Sequence, residues 1–67
     1  MSPQRLGRAL KTLLEQRGVT QVELASKASV TQAYIAKLES GDRKSPSLDV
    51  LKRLARALGV PVGELLE

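Results

Sequence analysis

Residues 20–36 read TQVELASKASVTQAYIA, and the pattern Thr-Gln-x-x-aliphatic-Ala occurs in them twice, once from Thr20 and once from Thr31. Each Thr stands one step before an apolar rhythm of helical spacing, where its hydroxyl can accept a hydrogen bond from a free backbone N–H of the first turn. Both therefore read as helix N-caps. The first is the more complete, because Glu23 stands three residues after Thr20 and makes a capping box, whereas Tyr34 takes that place after Thr31. Two short helices are expected, from about Gln21 to Ala28 and from about Gln32 to Ser40, joined by a tight turn around Lys27 to Val30. Leu24, Ala25 and Ala28 make the inward face of one; Ile35 and Leu38 make that of the other. Gly41 suits a left-handed stop after the second.

The same punctuation extends in both directions. Ser2 followed by Pro3 is an N-cap with Pro at the first helical position, and Leu6, Leu10, Leu13 and Leu14 form one apolar stripe ending near Gly18. Gly7 inside this helix costs up to ~1 kcal/mol relative to Ala, a cost that a closely packed neighbouring backbone would explain. After the polar loop DRKSP, Ser47 caps a fourth helix in which Leu48, Leu51, Leu54, Ala55 and Leu58 recur at helical spacing before Gly59. A short fifth helix, Val62 to Leu66, closes the chain. No segment alternates as a strand and no linker divides the sequence. The expectation is an all-α architecture of five helices, one domain over residues 1–67.

Composition narrows the chemistry. Of 67 residues, 42% are hydrophobic but only 1% aromatic, so the core has to be built from Leu, Ala and Val with Tyr34 as the sole ring. A chain of this size buries only roughly 60% of its unfolded surface. The absence of Cys removes disulfides, thiolate metal sites and thiol nucleophiles, and the absence of His removes the usual general base. The carboxylates Glu15, Glu23, Glu39, Asp42, Asp49, Glu64 and Glu67 are scattered, and no glycine-rich phosphate loop occurs. An enzyme is not expected, nor a cofactor or metal. No apolar run approaches the ~20 residues that cross a bilayer, and the segment MSPQRLGR lacks a signal-peptide core, so a soluble cytoplasmic protein is expected. Eleven Lys and Arg against seven Asp and Glu give a net charge of +4 and a pI near 10.0. That favours polyanions such as nucleic acid, although a basic surplus also serves solubility alone.

A helix of about two turns, a tight turn, and a second helix with a polar outer face make the helix-turn-helix arrangement, in which the second helix enters the major groove of double-stranded DNA. At this point the run TQVELASKASVTQAYIAKLESGDRKSPSLDVLKRLARALGVPVGELL resembles the Cro and phage-repressor type helix-turn-helix domains, the XRE family. The likeness rests on Thr-Gln-x-x-Leu-Ala opening the second helix and on Ile with Leu-Glu-x-Gly closing the third. Pro-Ser-Leu-x-x-Leu at the fourth and Ala-Leu-Gly-Val before the last complete it. It implies a five-helix repressor-like fold and a sequence-specific transcriptional regulator, in the main a repressor, commonly dimeric on its operator. Three departures stand out. Ser29 occupies the turn position where the family usually has Gly. Leu14 stands where many members carry an Arg that pairs with the Glu at position 39, leaving Glu39 to Arg8, to Lys11 or to solvent. Pro61 replaces the usual small polar cap of the last helix.

Against that family, Gln32 resembles the base-reading Gln, whose amide can donate to adenine N7 and accept from its N6 amine together. Ala33 can meet a thymine methyl or simply permit close approach. Lys37 can reach guanine O6 and N7, or a phosphate. Gln21 matches a position that the family sets against a phosphate at the start of the second helix, and Thr31, Tyr34, Arg43 and Lys44 are further candidate phosphate contacts. The Tyr34 ring serves equally for packing alone. Lys52, Arg53 and Arg56 fall mainly on the solvent face of the fourth helix. Val60, Val62, Leu65 and Leu66 are candidates for the contact of a homodimer, weak in solution and completed on a palindromic operator. The alternative is a protein-interaction module of the same fold, such as an antitoxin or the partner of another regulator. A continuous electropositive face of Gln32, Lys37, Arg43 and Lys44 would separate the two.

Overall fold

The computed structural model describes residues 2–42 and 46–66. Among these residues five α-helices follow in order: α1 (Pro3–Arg17), α2 (Gln21–Ala28), α3 (Gln32–Ser40), α4 (Leu48–Leu58) and α5 (Gly63–Leu66). Four of them begin on the hydroxyls expected to start them. Ser2 Oγ accepts from the Arg5 N–H at 3.1 Å, Thr20 Oγ1 from Glu23 at 3.1 Å, Thr31 Oγ1 from Tyr34 at 3.1 Å and Ser47 Oγ from Val50 at 3.3 Å. At α2 the box closes, since Glu23 Oε1 accepts from the Thr20 N–H at 3.0 Å. That bond, followed by the one to the Thr20 side chain, holds the Glu23 carboxyl below its ordinary value, with Lys27 adding to the effect and desolvation opposing it.

The four helices also end alike. Gly18, Ser29, Gly41 and Gly59 all adopt the left-handed conformation. The N–H of the next residue then reaches back to the last turn, Val19 to Leu14 O, Val30 to Ala25 O and Val60 to Ala55 O at 3.0 Å each, and Asp42 to Lys37 O at 3.1 Å. This is the Schellman arrangement, whose side chain after the left-handed residue folds onto the helix just ended. Val19, Val30 and Val60 do so, packing on or within the core. Ser29, at φ 59°, is the only non-glycine residue with positive φ among those described.

Leu6, Leu10, Leu13 and Leu14 of α1, Leu24, Ala25 and Ala28 of α2, Ile35 and Leu38 of α3, and Leu51, Leu54, Ala55 and Leu58 of α4 form one core, to which Val60 and Leu65 add the C-terminal cover. Leu48 departs from the expected stripe. As the first residue of α4 it is 55% exposed, ahead of the turn at which the helix meets the rest of the protein. The last helix begins one residue later than expected, without a side-chain cap: the Glu64 N–H donates to Pro61 O at 3.0 Å and Leu65 to Val62 O at 2.9 Å. Gly7 lies where α1 crosses α3. A Cβ there would overlap the carbonyl oxygen of Leu38 and come within 2.6 Å of that of Glu39, so the missing side chain is what lets the two helices approach.

Candidate nucleic-acid interface

The turn between α2 and α3 is only Ser29, Val30 and Thr31, and α3 is held from behind by Ile35, fully buried, and Leu38, 1% exposed. With α1 against one flank through Gly7 and α2 against another, the remaining arc of α3 faces outward. Gln32, Ala33, Ala36, Lys37 and Ser40 are all exposed there, whereas Tyr34 and Glu39 are half-buried at its borders. At 100° per residue the exposed set runs in the order Gln32, Ala36, Ser40, Ala33, Lys37. The three expected base-reading residues are thus brought onto one face. Ala36 and Ser40 share it and are not among the expected base-reading residues, although the helical period alone places them between the others.

Thr31 Oγ1 is used as an acceptor by the α3 cap, and a hydroxyl so engaged still has its proton to donate. Gln21 is half-buried in the first turn of α2, beside the capping box. Tyr34 is half-buried and packs against the core, so its ring has the structural role allowed for it. Arg43 and Lys44 lie outside the described residues. Of the α4 cations, Lys52 and Arg56 are exposed, and Arg53 Nε lies 3.6 Å from Asp49 Oδ2.

Glu39 does not pair with Arg8 or Lys11. Its Oε2 is buried and has no hydrogen-bond partner among the described residues. Leu14, 5% exposed in the core, offers no donor in place of the family's Arg. The supposed dimer residues divide. Val60 is 9% exposed and Leu65 1%, both spent on the chain's own core, while Val62 is partly buried and Leu66 is 42% exposed. Beside α5, a groove of about 340 Å³ is lined by Ala9 and Leu13 with Arg5, Arg8, Thr12 and Glu64. On the α1 wheel this side is roughly opposite Gly7 and hence opposite α3. Among the described residues no His, Cys, Asp or Glu gather in a group able to hold a metal, and no helix is long and apolar enough to cross a membrane.

The helix-turn-helix family pattern matches residues 10–65. The immunity repressor of Bacillus phage phi105 is 39% identical over 61 residues, covering 91% of this chain and 42% of that repressor. SinR of Bacillus subtilis, the master regulator for biofilm formation, solved in complex with DNA, superposes with a TM-score of 0.87 at 31% identity, over 92% of this chain and 98% of that one. The restriction-modification controller protein C.AhdI of Aeromonas hydrophila gives 0.88 at 30% identity, over 94% of each chain. The chain spans about half the length of the curated relatives it matches, 42% of the phage repressor and 56% of full-length SinR. With the pattern covering most of its length and the left-handed turn between α2 and α3 in place, the chain belongs to the helix-turn-helix family that includes phage repressors and transcriptional regulators.

Proposed function

We propose that this chain binds double-stranded operator DNA in the cytoplasm as a repressor-type transcriptional regulator, placing α3 in the major groove. The observation that carries the reading is the outward arc of α3: Gln32, Ala33 and Lys37 are exposed on a helix whose other face is fixed by Ile35 and Leu38. Gln32 reads an adenine, Lys37 a guanine or a phosphate, and Ala33 lies against a thymine methyl. Gln21, Thr31, Tyr34, Arg43 and Lys44 position the duplex through its phosphates. The role is recognition rather than catalysis.

Two copies are expected on one operator. The Cα extents are 24 × 23 × 22 Å. Successive major grooves on one face of DNA are about 34 Å apart, so one chain covers a single half-site. The contact falls to exposed Leu66 and half-buried Val62, with the groove lined by Arg5, Arg8 and Glu64 as a second surface at the same end of the molecule. A two-fold axis can set the cations of one copy against the carboxylate of the other. The same groove supports the second reading, a docking site for a different protein.

Selection of bound duplexes from a random pool tests the main reading. An enriched palindrome is expected, with log affinity falling by roughly 0.9 per phosphate contact for each unit of log salt. Gln32→Ala should cost ~1–3 kcal/mol at one base pair and relax the preference there. Absence of enrichment, or affinity indifferent to salt, would refute it.

A further inference from the structure

The exposed arc of α3 is unusual in what its centre lacks. Gln32 and Lys37 stand at its two edges, and between them lie Ala36, Ser40 and Ala33. Ser40 does not offer a free hydroxyl proton, because its Oγ donates to Lys37 O at 3.0 Å and also accepts from the Asp42 N–H at 3.4 Å. Ser40 also stands at the last position of α3, a turn beyond Ala36, so what the helix presents outward between Gln32 and Lys37 along the chain is a pair of methyl groups, on Ala33 and Ala36, one turn apart. Side chains at this spacing have Cβ atoms ~5–6 Å apart, and base pairs rise ~3.4 Å, so the pair covers one to two base steps.

Resting on the DNA-binding reading above, we propose that Ala33 and Ala36 together form an apolar platform that selects thymine through its 5-methyl group, making Ala36 a further specificity-determining residue. Thymine is the only base that puts a methyl into the major groove. The other bases put there the cytosine amine, the adenine amine and N7, or guanine O6 and N7. A Cβ has neither donor nor acceptor, so any of these pressed against it loses water and gains no partner. The platform thus acts chiefly by exclusion. A thymine methyl opposite Ala36 replaces water at an apolar contact, whereas a polar base edge there is left unsatisfied. The small side chains also draw the helix axis close, which brings the longer Gln32 and Lys37 to base edges on either side. Each half-site then carries one or two thymines inside the positions read by Gln32 and Lys37.

Removing single methyl groups from the DNA tests this. In a duplex taken from the selection, each thymine is replaced in turn by uracil and the affinity measured by competition. Loss of about three- to fivefold is expected at one or two thymines per half-site, the value of one buried methyl. In Ala36→Gly the loss at the thymine facing position 36 should vanish while the losses elsewhere persist. Should glycine unwind α3, as circular dichroism would reveal, Ala36→Ser keeps the helix and supplies a hydroxyl that accepts or donates. It should relax the thymine preference at that base pair alone. Sequence-selective binding with no thymine sensitive to its methyl overturns the platform and leaves the DNA reading intact. No selective duplex binding overturns both.

Discussion

Ser29 sits at φ 59° and ψ 44°, a conformation that costs an L-residue with a Cβ roughly 1 kcal/mol or more. It is retained because the short turn between α2 and α3 leaves no other path, and because its N–H and that of Val30 close the end of α2. Ser29→Gly removes the steric cost and gives back part of the gain as chain entropy, so a net ~0.5 kcal/mol of stabilisation is expected. In a domain of this size that raises Tm by ~2–4 °C in a thermal melt. An unchanged or lower Tm would mean that the turn stores no strain. Glu23 makes a second residue-scale prediction. Its folded-state pKa is lowered, first by the Thr20 backbone N–H, so its contribution to stability is complete above the ordinary glutamate pKa of about 4.3 and is lost as pH falls through the lowered value. Glu23→Gln keeps an acceptor for the capping box but not the charge. Urea titrations at pH 7 and pH 3 should show a smaller acid loss in this variant than in the parent. Equal losses would show that the box is indifferent to charge.

At the scale of elements, the contact of α1 with α3 turns on Gly7. A methyl there meets two backbone carbonyls rather than a yielding side chain, so Gly7→Ala should force the helices apart at a cost of ~1–3 kcal/mol despite the better helix propensity of Ala. Gly63→Ala is the matched control, since nothing lies within 4 Å of the added atom, and it should be neutral or mildly stabilising. Equal effects in the two melts would remove the close-crossing argument. Helix limits were legible because caps and stops are local chemistry: Ser2, Thr20, Thr31 and Ser47 begin helices, and Gly18, Gly41 and Gly59 stop them. Leu48 was not, since periodicity counts an apolar residue at the first position of a helix as though the helix already lay on the core. Neither was the fate of Glu39. Whether Arg8 or Lys11 reaches its carboxylate depends on how two helices cross, which spacing along either one does not contain.

For the whole molecule, the separation of inside from outside at the C-terminus changes how pairing is tested. Leu65 is 1% exposed, so replacing it by Lys would unfold the chain rather than separate two copies. Leu66 is 42% exposed, and Leu66→Lys should leave the thermal melt nearly unchanged. Sedimentation on a full palindromic site should then show the two-to-one complex weakened in this variant. A parent that binds such a site strictly one to one would remove the pairing. From sequence, the proposed reading face was legible at Gln32, Ala33 and Lys37 and silent at Ala36, whose methyl carries neither charge nor hydrogen-bonding group and matches no reading residue of the family. That face also has a consequence for ancestry. α3 attaches to the protein through Ile35, Leu38 and the carbonyls beside Gly7, and the exposed positions 32, 33, 36 and 37 carry none of that attachment. Substitutions there other than to glycine or proline usually change stability by only about ±0.5 kcal/mol, so on the proposed reading a duplicated copy can drift toward a new operator at almost no selective cost to folding. The scaffold is inherited, and the address that the proposed face would read is free to diverge.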